Sequence, residues 1–178
     1  LDAALSVWPQ AARLADDTRE LTKHQLPAEA GQGNLAALID QASGQRRAAI
    51  QALKSGWAAR AAEMQAWLDA QVAAKDCGFD KRKLASRHYT SWLQTLAVWA
   101  DDPDAQALDL KTGNTRLTPS GLADAAKPGH TFEAPAAPAA FAAWAQLQQD
   151  LAAVPALAPT LRLHAAARVA ARLAELKA

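Results

Sequence analysis

A single cysteine in 178 residues excludes an internal disulfide, so Cys77 points to a reducing compartment, read here as the cytoplasm. No stretch approaches the roughly 18 consecutive apolar residues of a membrane helix, and no membrane partner is expected. Val and Ile are scarce, and Thr sits mostly in punctuation such as Asn114-Thr115 and Leu117-Thr118-Pro119. Period-two runs of β-branched residues are hard to find, which argues against a sheet. Phosphate-cradling patterns are missing too. There is no G-x-x-x-x-G-K-[ST], and Gly31-x-Gly33 runs into Asn34 without a third glycine or a preceding strand. His24, His88, His130 and His164 are scattered, with no H-E-x-x-H and no paired cysteines, so no metal is expected. Asp16-Asp17 and Asp101-Asp102 are adjacent pairs, and neighbouring helix positions point in different directions, so neither reads as a catalytic dyad. No active site emerges, and the chain is not expected to act as an enzyme by itself.

What is present is a strong helical bias. Roughly a quarter of the chain is Ala, and Leu, Gln, Arg and Glu add to it. The expected fold class is all-α: an irregular, Trp-anchored helical bundle with one long helical hairpin and no sheet. The expected domain is a single helical subdomain over 1–178, with a possible sub-division into 1–76 and 77–178. The chain opens on Leu1 in mid-pattern, which reads as a piece of a longer protein, so a missing leader says little about location.

Along the chain, a first helix is expected over 2–26, interrupted or truly started at Pro9. Asn34 caps a short second helix to Ser43, with Gly44 as its left-handed stop. A long third helix over 45–74 carries the stripe Ile50, Leu53, Trp57, Ala61, Met64, Leu68, Val72, whose steps of three and four place one face in a bundle core. Asp80 caps a turn to Leu84, and a fourth helix covers 91–101 with Trp92, Leu93, Leu96 and Trp99 inward. Thr118-Pro119 starts a short helix that Lys127-Pro128-Gly129 stops. Ala134 to Pro138 is a Pro/Ala linker. Phe141, Trp144, Leu147 and Leu151 mark a fifth helix, and 160–176 forms the last.

Against this neutral background, Gly78 to Trp92 stands out. Between Lys75 and His88 five cations (Lys75, Lys81, Arg82, Lys83, Arg87) face only Asp76 and Asp80, a local charge of +3 in a chain whose total is +1. Cations bunched at a glycine-flanked junction beside aromatic rings suit a nucleic-acid backbone. Lys81, Arg82, Lys83 and Arg87 are the candidate phosphate contacts, His88 and Tyr89 their hydrogen-bonding neighbours, and Arg116 a weaker candidate. A soluble turn between helices is the competing explanation of the same charges. Residues 160–177 form a second +3 segment through Arg162, Arg168, Arg172 and Lys177 against Glu175. Trp92 and Trp99 follow the helical stripe and read as core anchors rather than base-stacking platforms.

This block resembles the beta subunit of bacterial exodeoxyribonuclease V, the RecB helicase–nuclease family. The matching run is Gly78-Phe79-Asp80-Lys81-Arg82-Lys83, then Trp92-Leu93, then Val98-Trp99-Ala100-Asp101-Asp102. It continues through Arg116-Leu117-Thr118-Pro119, Leu122 and Lys127-Pro128-Gly129-His130, so its specific part spans about residues 75–132. None of these motifs is catalytic. The resemblance implies the helical insertion of the first motor domain, the arm that leans on duplex DNA ahead of the fork in double-strand-break repair and recombination. It implies no cofactor in this chain, with ATP and Mg²⁺ belonging to a parent that is an ATP-dependent helicase and exonuclease. The implied partners are the double-stranded DNA backbone and the gamma and alpha subunits. A rival expectation is a helical scaffold docking a partner subunit or neighbouring domain, whose signature would be an apolar patch exposed on the 45–74 helix.

Overall fold

A computed structural model describes residues 2–27, 29–130 and 138–177. The fold is all-α: 68 % of the described residues are helical, and the only ladder-like feature among them is an isolated antiparallel bridge between Phe79 and Ala126. The elements are α1 (Asp2–Val7), α2 (Ala11–Leu21), α3 (Leu35–Lys54), α4 (Trp57–Ala73), α5 (Ser86–Asp101), α6 (Gly113–Arg116), α7 (Pro119–Ala125), α8 (Ala139–Ala153) and α9 (Leu157–Glu175). The expected Ala134–Pro138 linker falls largely outside the described residues. No helix among those described is long and apolar enough to cross a membrane.

The chain forms two compact units, one of residues 1–48 with 155–178 and the other of residues 49–154. The 76/77 division suggested by the sequence falls inside the second unit, because α4 and α5 on either side of it are packed together. In the first unit α9 is the organising element and α1 and α2 pack on it. Asp17 on α2 gathers two donors there, Trp8 Nε1 at 2.9 Å and Arg162 Nε at 2.8 Å. Asn34 caps α3, its Oδ1 accepting from the backbone N–H groups of Ala36 (2.7 Å) and Ala37 (3.2 Å).

The second unit holds the main core. Ile50, Trp57, Ala61, Met64 and Leu68 are buried, so the long stripe is interior, as its spacing predicted, and is not an exposed patch. Facing it lie Tyr89, Leu93, Leu96 and Trp99 of α5 and Phe141, Trp144 and Leu147 of α8. Trp57 and Trp144 meet edge to face at 6.1 Å, and Trp67 makes similar contacts with Phe79 and Phe141. The α4–α5 pair is the expected hairpin. Bonds beside both ends fit its antiparallel sense: Tyr89 donates to Asp69 near the end of α4, and Lys54 Nζ, at the end of α3 just before α4, donates to the carbonyl of Asp102 just after α5.

Several boundaries differ from the sequence expectation. α2 ends at Leu21, short of Pro27, and Pro9 lies between α1 and α2. Gly44 does not stop a helix; α3 runs through it, since an exposed mid-helix glycine costs only about 1 kcal/mol against Ala. The break falls instead at Ser55-Gly56, with Gly56 left-handed at φ +76. α9 starts at Leu157, with Pro159 in its first turn, where its missing N–H is no loss. The Thr118-Pro119 start stands as expected, the Thr118 hydroxyl accepting from Gly121 N at 3.1 Å.

Candidate nucleic-acid interface

The junction between α4 and α5 is built by alternation of nails and free charges. Phe79 and Leu84 are fully buried and pin both ends of the segment to the core, which leaves Lys81, Arg82 and Lys83 in solvent between them. Asp80 shapes the turn. Its Oδ1 accepts from Arg82 N at 2.8 Å, and its carbonyl accepts from Lys83 N (2.9 Å) and Leu84 N (3.0 Å). The same stretch is tied to the end of α7, with Asp80 N donating to the Ala125 carbonyl at 2.8 Å and Lys127 N to the Gly78 carbonyl at 2.7 Å. A charged turn held this way loses little further backbone freedom on meeting a ligand.

The predicted residues separate into different roles. Lys81 and Arg82 are exposed and, among the described residues, meet no carboxylate. Arg87 is exposed on the first turn of α5, and its Nε donates to His88 Nε2 at 3.3 Å. His88 lies nearly parallel to Trp92, 18° between planes and 6.0 Å between ring centres. Lys83 donates to the Asp124 carbonyl at 2.7 Å, completing the carbonyl end of α7, so part of its donor capacity is spent inside the protein. Tyr89 requires correction as a surface donor: it is 1 % exposed, and its hydroxyl donates to Asp69 Oδ1 at 2.6 Å. Burial, and then the Asp69 carboxylate, push its phenol well above the usual tyrosine range. Arg116 is half-buried at the end of α6 and makes no bond to the junction residues. Trp92 is partly buried against the core and Trp99 is 3 % exposed, which suits anchors.

Two contributors lie outside the predicted set. Lys127 is brought in by the Phe79–Ala126 bridge and donates to the Cys77 carbonyl at 2.7 Å. The start of α5 is the other. The helix begins at Ser86 rather than Ser91, its N-cap residue Ala85 offers no side-chain oxygen, and no acidic residue occupies the first turn. The N–H groups of that turn therefore present partial positive charge beside Arg87, an arrangement that attracts anions. A signal for it existed in the sequence: Tyr89, Leu93 and Leu96 continue the apolar spacing one turn upstream of the expected start.

The second basic segment lies in the first unit and the junction in the second. Arg162 is engaged by Asp17 and Arg172 by Glu175, so half of its cations are neutralised internally. Among the described residues no group of three His, Cys, Asp or Glu side chains is placed to hold a metal ion. Gly31-Gln32-Gly33-Asn34 joins α2 to α3 rather than a strand to a helix, which does not fit a nucleotide-phosphate cradle.

Comparison with known proteins returns nothing: no family model fits the sequence, and no curated protein or solved structure matches it.

Proposed function

We propose that this chain is a non-catalytic module that grips the backbone of double-stranded DNA through the α4–α5 junction. The observation that carries the reading is a set of exposed cations, Lys81, Arg82 and Arg87, without carboxylate partners, beside the uncapped first turn of α5. Phosphates would neutralise those charges and accept from the open N–H groups, with Lys83, Lys127 and His88 flanking them. A backbone-reading surface carries no sequence preference. That property suits an arm on a motor that must cross any sequence, and the motif resemblance over about residues 75–132 names such a motor, a RecB-type helicase–nuclease working in double-strand-break repair in the cytoplasm. ATP and Mg²⁺ then belong to the parent's motor domains, and the gamma and alpha subunits are its proposed partners.

The test is a fluorescence titration of the chain against a short labelled duplex at two salt concentrations. Affinity is expected on the order of 10⁻⁴–10⁻⁶ M, with the log–log salt slope shrinking by about 0.9 for each phosphate contact removed. The combined Lys81→Ala, Arg82→Ala, Arg87→Ala variant should lose about three such increments. Equal affinity and slope in the parent and the triple variant would remove the site.

A further inference from the structure

The first unit buries little of its apolar surface. Its buried apolar residues are Trp8, Leu161 and Ala166, whereas five of the six exposed large apolar side chains among the described residues belong to it: Leu5, Leu35, Val169, Leu173 and Leu176. The last three lie at the end of α9 and are 40 %, 47 % and 69 % exposed. Steps of four and three place them on one helix face, and Leu176 at the C-cap keeps helical backbone angles, so the stripe is continuous over about two turns. One heptad earlier the same face carries Arg162, which Asp17 engages, so the open stretch begins at Val169. Residues 171–177 are all exposed, and no other element of the unit covers this end of the helix.

Such a stripe is one half of a helix–helix seam. Its edges carry charge of one sign. By helical spacing Arg168 and Arg172 flank it on one side and Lys177 on the other. Glu175 answers Arg172 at 2.7 Å, but Arg168 and Lys177 meet no carboxylate among the described residues. Residues 168–177 hold three cations and one acid, so a second copy laid on the stripe would set like charges against each other. A nucleic-acid backbone fits no better, because phosphates have no use for three exposed aliphatic side chains.

We propose that the Val169–Leu173–Leu176 stripe docks an amphipathic helix of a protein partner, one whose apolar seam is edged by Glu or Asp. The partner's seam covers the stripe, and its carboxylates face Arg168 and Lys177. The site lies wholly within the first unit and does not rest on the DNA reading of the α4–α5 junction.

The probe is a synthetic peptide of about three heptads, with Ile and Leu along its seam and Glu beside it, compared with a counterpart carrying Lys in place of Glu. Both are titrated into the ¹⁵N-labelled chain. Saturable shifts at Val169, Leu173 and Leu176 are expected with the Glu peptide. The Lys peptide should bind at least about tenfold more weakly at low salt, with the gap narrowing as salt is raised. Leu173→Glu, at an exposed position, should keep the helicity and abolish binding. Arg168→Glu combined with Lys177→Glu should reverse the preference between the two peptides. No saturable shift, equal affinity for both peptides, or an unchanged preference in the charge-reversed variant overturns the proposal. A concentration-dependent dimer that Leu173→Glu dissolves also overturns it, in favour of a second copy. Displacement of the Glu peptide by a short duplex overturns it in favour of nucleic acid.

Discussion

Tyr89 gives its phenolic proton to Asp69 across 2.6 Å and so joins the start of α5 to the end of α4 at the base of the basic junction. It is the only tyrosine in the chain, and burial followed by the Asp69 carboxylate raises its pKa above the usual 10.0. A group whose folded pKa is raised contributes stability that is complete below its unfolded value and lost as pH rises through the folded one. The tyrosinate absorbance band should therefore stay absent at pH 10 to 11 and appear only with loss of helicity at higher pH. Tyr89→Phe should remove that alkaline limb and cost about 1 kcal/mol in denaturant unfolding, since Asp69 itself is exposed and is not stranded in the core.

Lys81 and Lys83 are two residues apart, yet they should respond in opposite ways. Lys83→Ala deletes a charged donor from the carbonyl end of α7 and should lower stability by about 0.5–1 kcal/mol, with little change in the salt slope of duplex binding. Lys81→Ala removes an unpartnered cation, leaving stability within about 0.5 kcal/mol and reducing the slope by up to about 0.9. Chemical denaturation beside the binding titration separates the two.

The difference between these lysines marks where sequence reading stops. Local chemistry was legible: the Asp80 turn, the Asn34 and Thr118 caps and the Ile50-to-Leu68 stripe all follow from spacing and side-chain type. The bunching of charge at the junction was legible as well. Which charges remain available was not, because the acceptors of Lys83 and Lys127 lie 41 and 50 residues away in the chain. Tyr89 was placed among surface donors by its neighbours, although its spacing to Leu93 and Leu96 assigns it to the core face. The two compact units were hidden for a similar reason, since the first joins the chain's opening residues to its closing helix.

Gly44 and Gly56 make the same point about backbone. Gly44 sits in the middle of α3 with open space where a Cβ would go, so Gly44→Ala should stabilise by about 0.5–1 kcal/mol through helix propensity and a less mobile unfolded chain. Gly56 is left-handed at φ +76, and Gly56→Ala should destabilise by about 1–2 kcal/mol despite having room for the methyl group. Opposite shifts in melting temperature are expected. Equal shifts would mean that the break between α3 and α4 is not at Gly56.

Strong acid should release the Asp17 clamp. Its carboxyl is held below the usual 3.8 chiefly by the Trp8 indole N–H, and then by the hydrogen bond and charge of Arg162. A depressed folded pKa contributes stability that is present above the unfolded value and disappears as pH falls through the folded one. The window therefore lies below about pH 3.8, and neutral solutions are unaffected. The Trp8 indole N–H resonance, resolved from those of the other five tryptophans, should move as that window is crossed. Asp17→Asn keeps an oxygen for the indole but removes the charge that Arg162 answers, so the acid limb should flatten while the indole resonance stays near its neutral-pH position. An unchanged acid limb in that variant would assign the transition to other carboxylates.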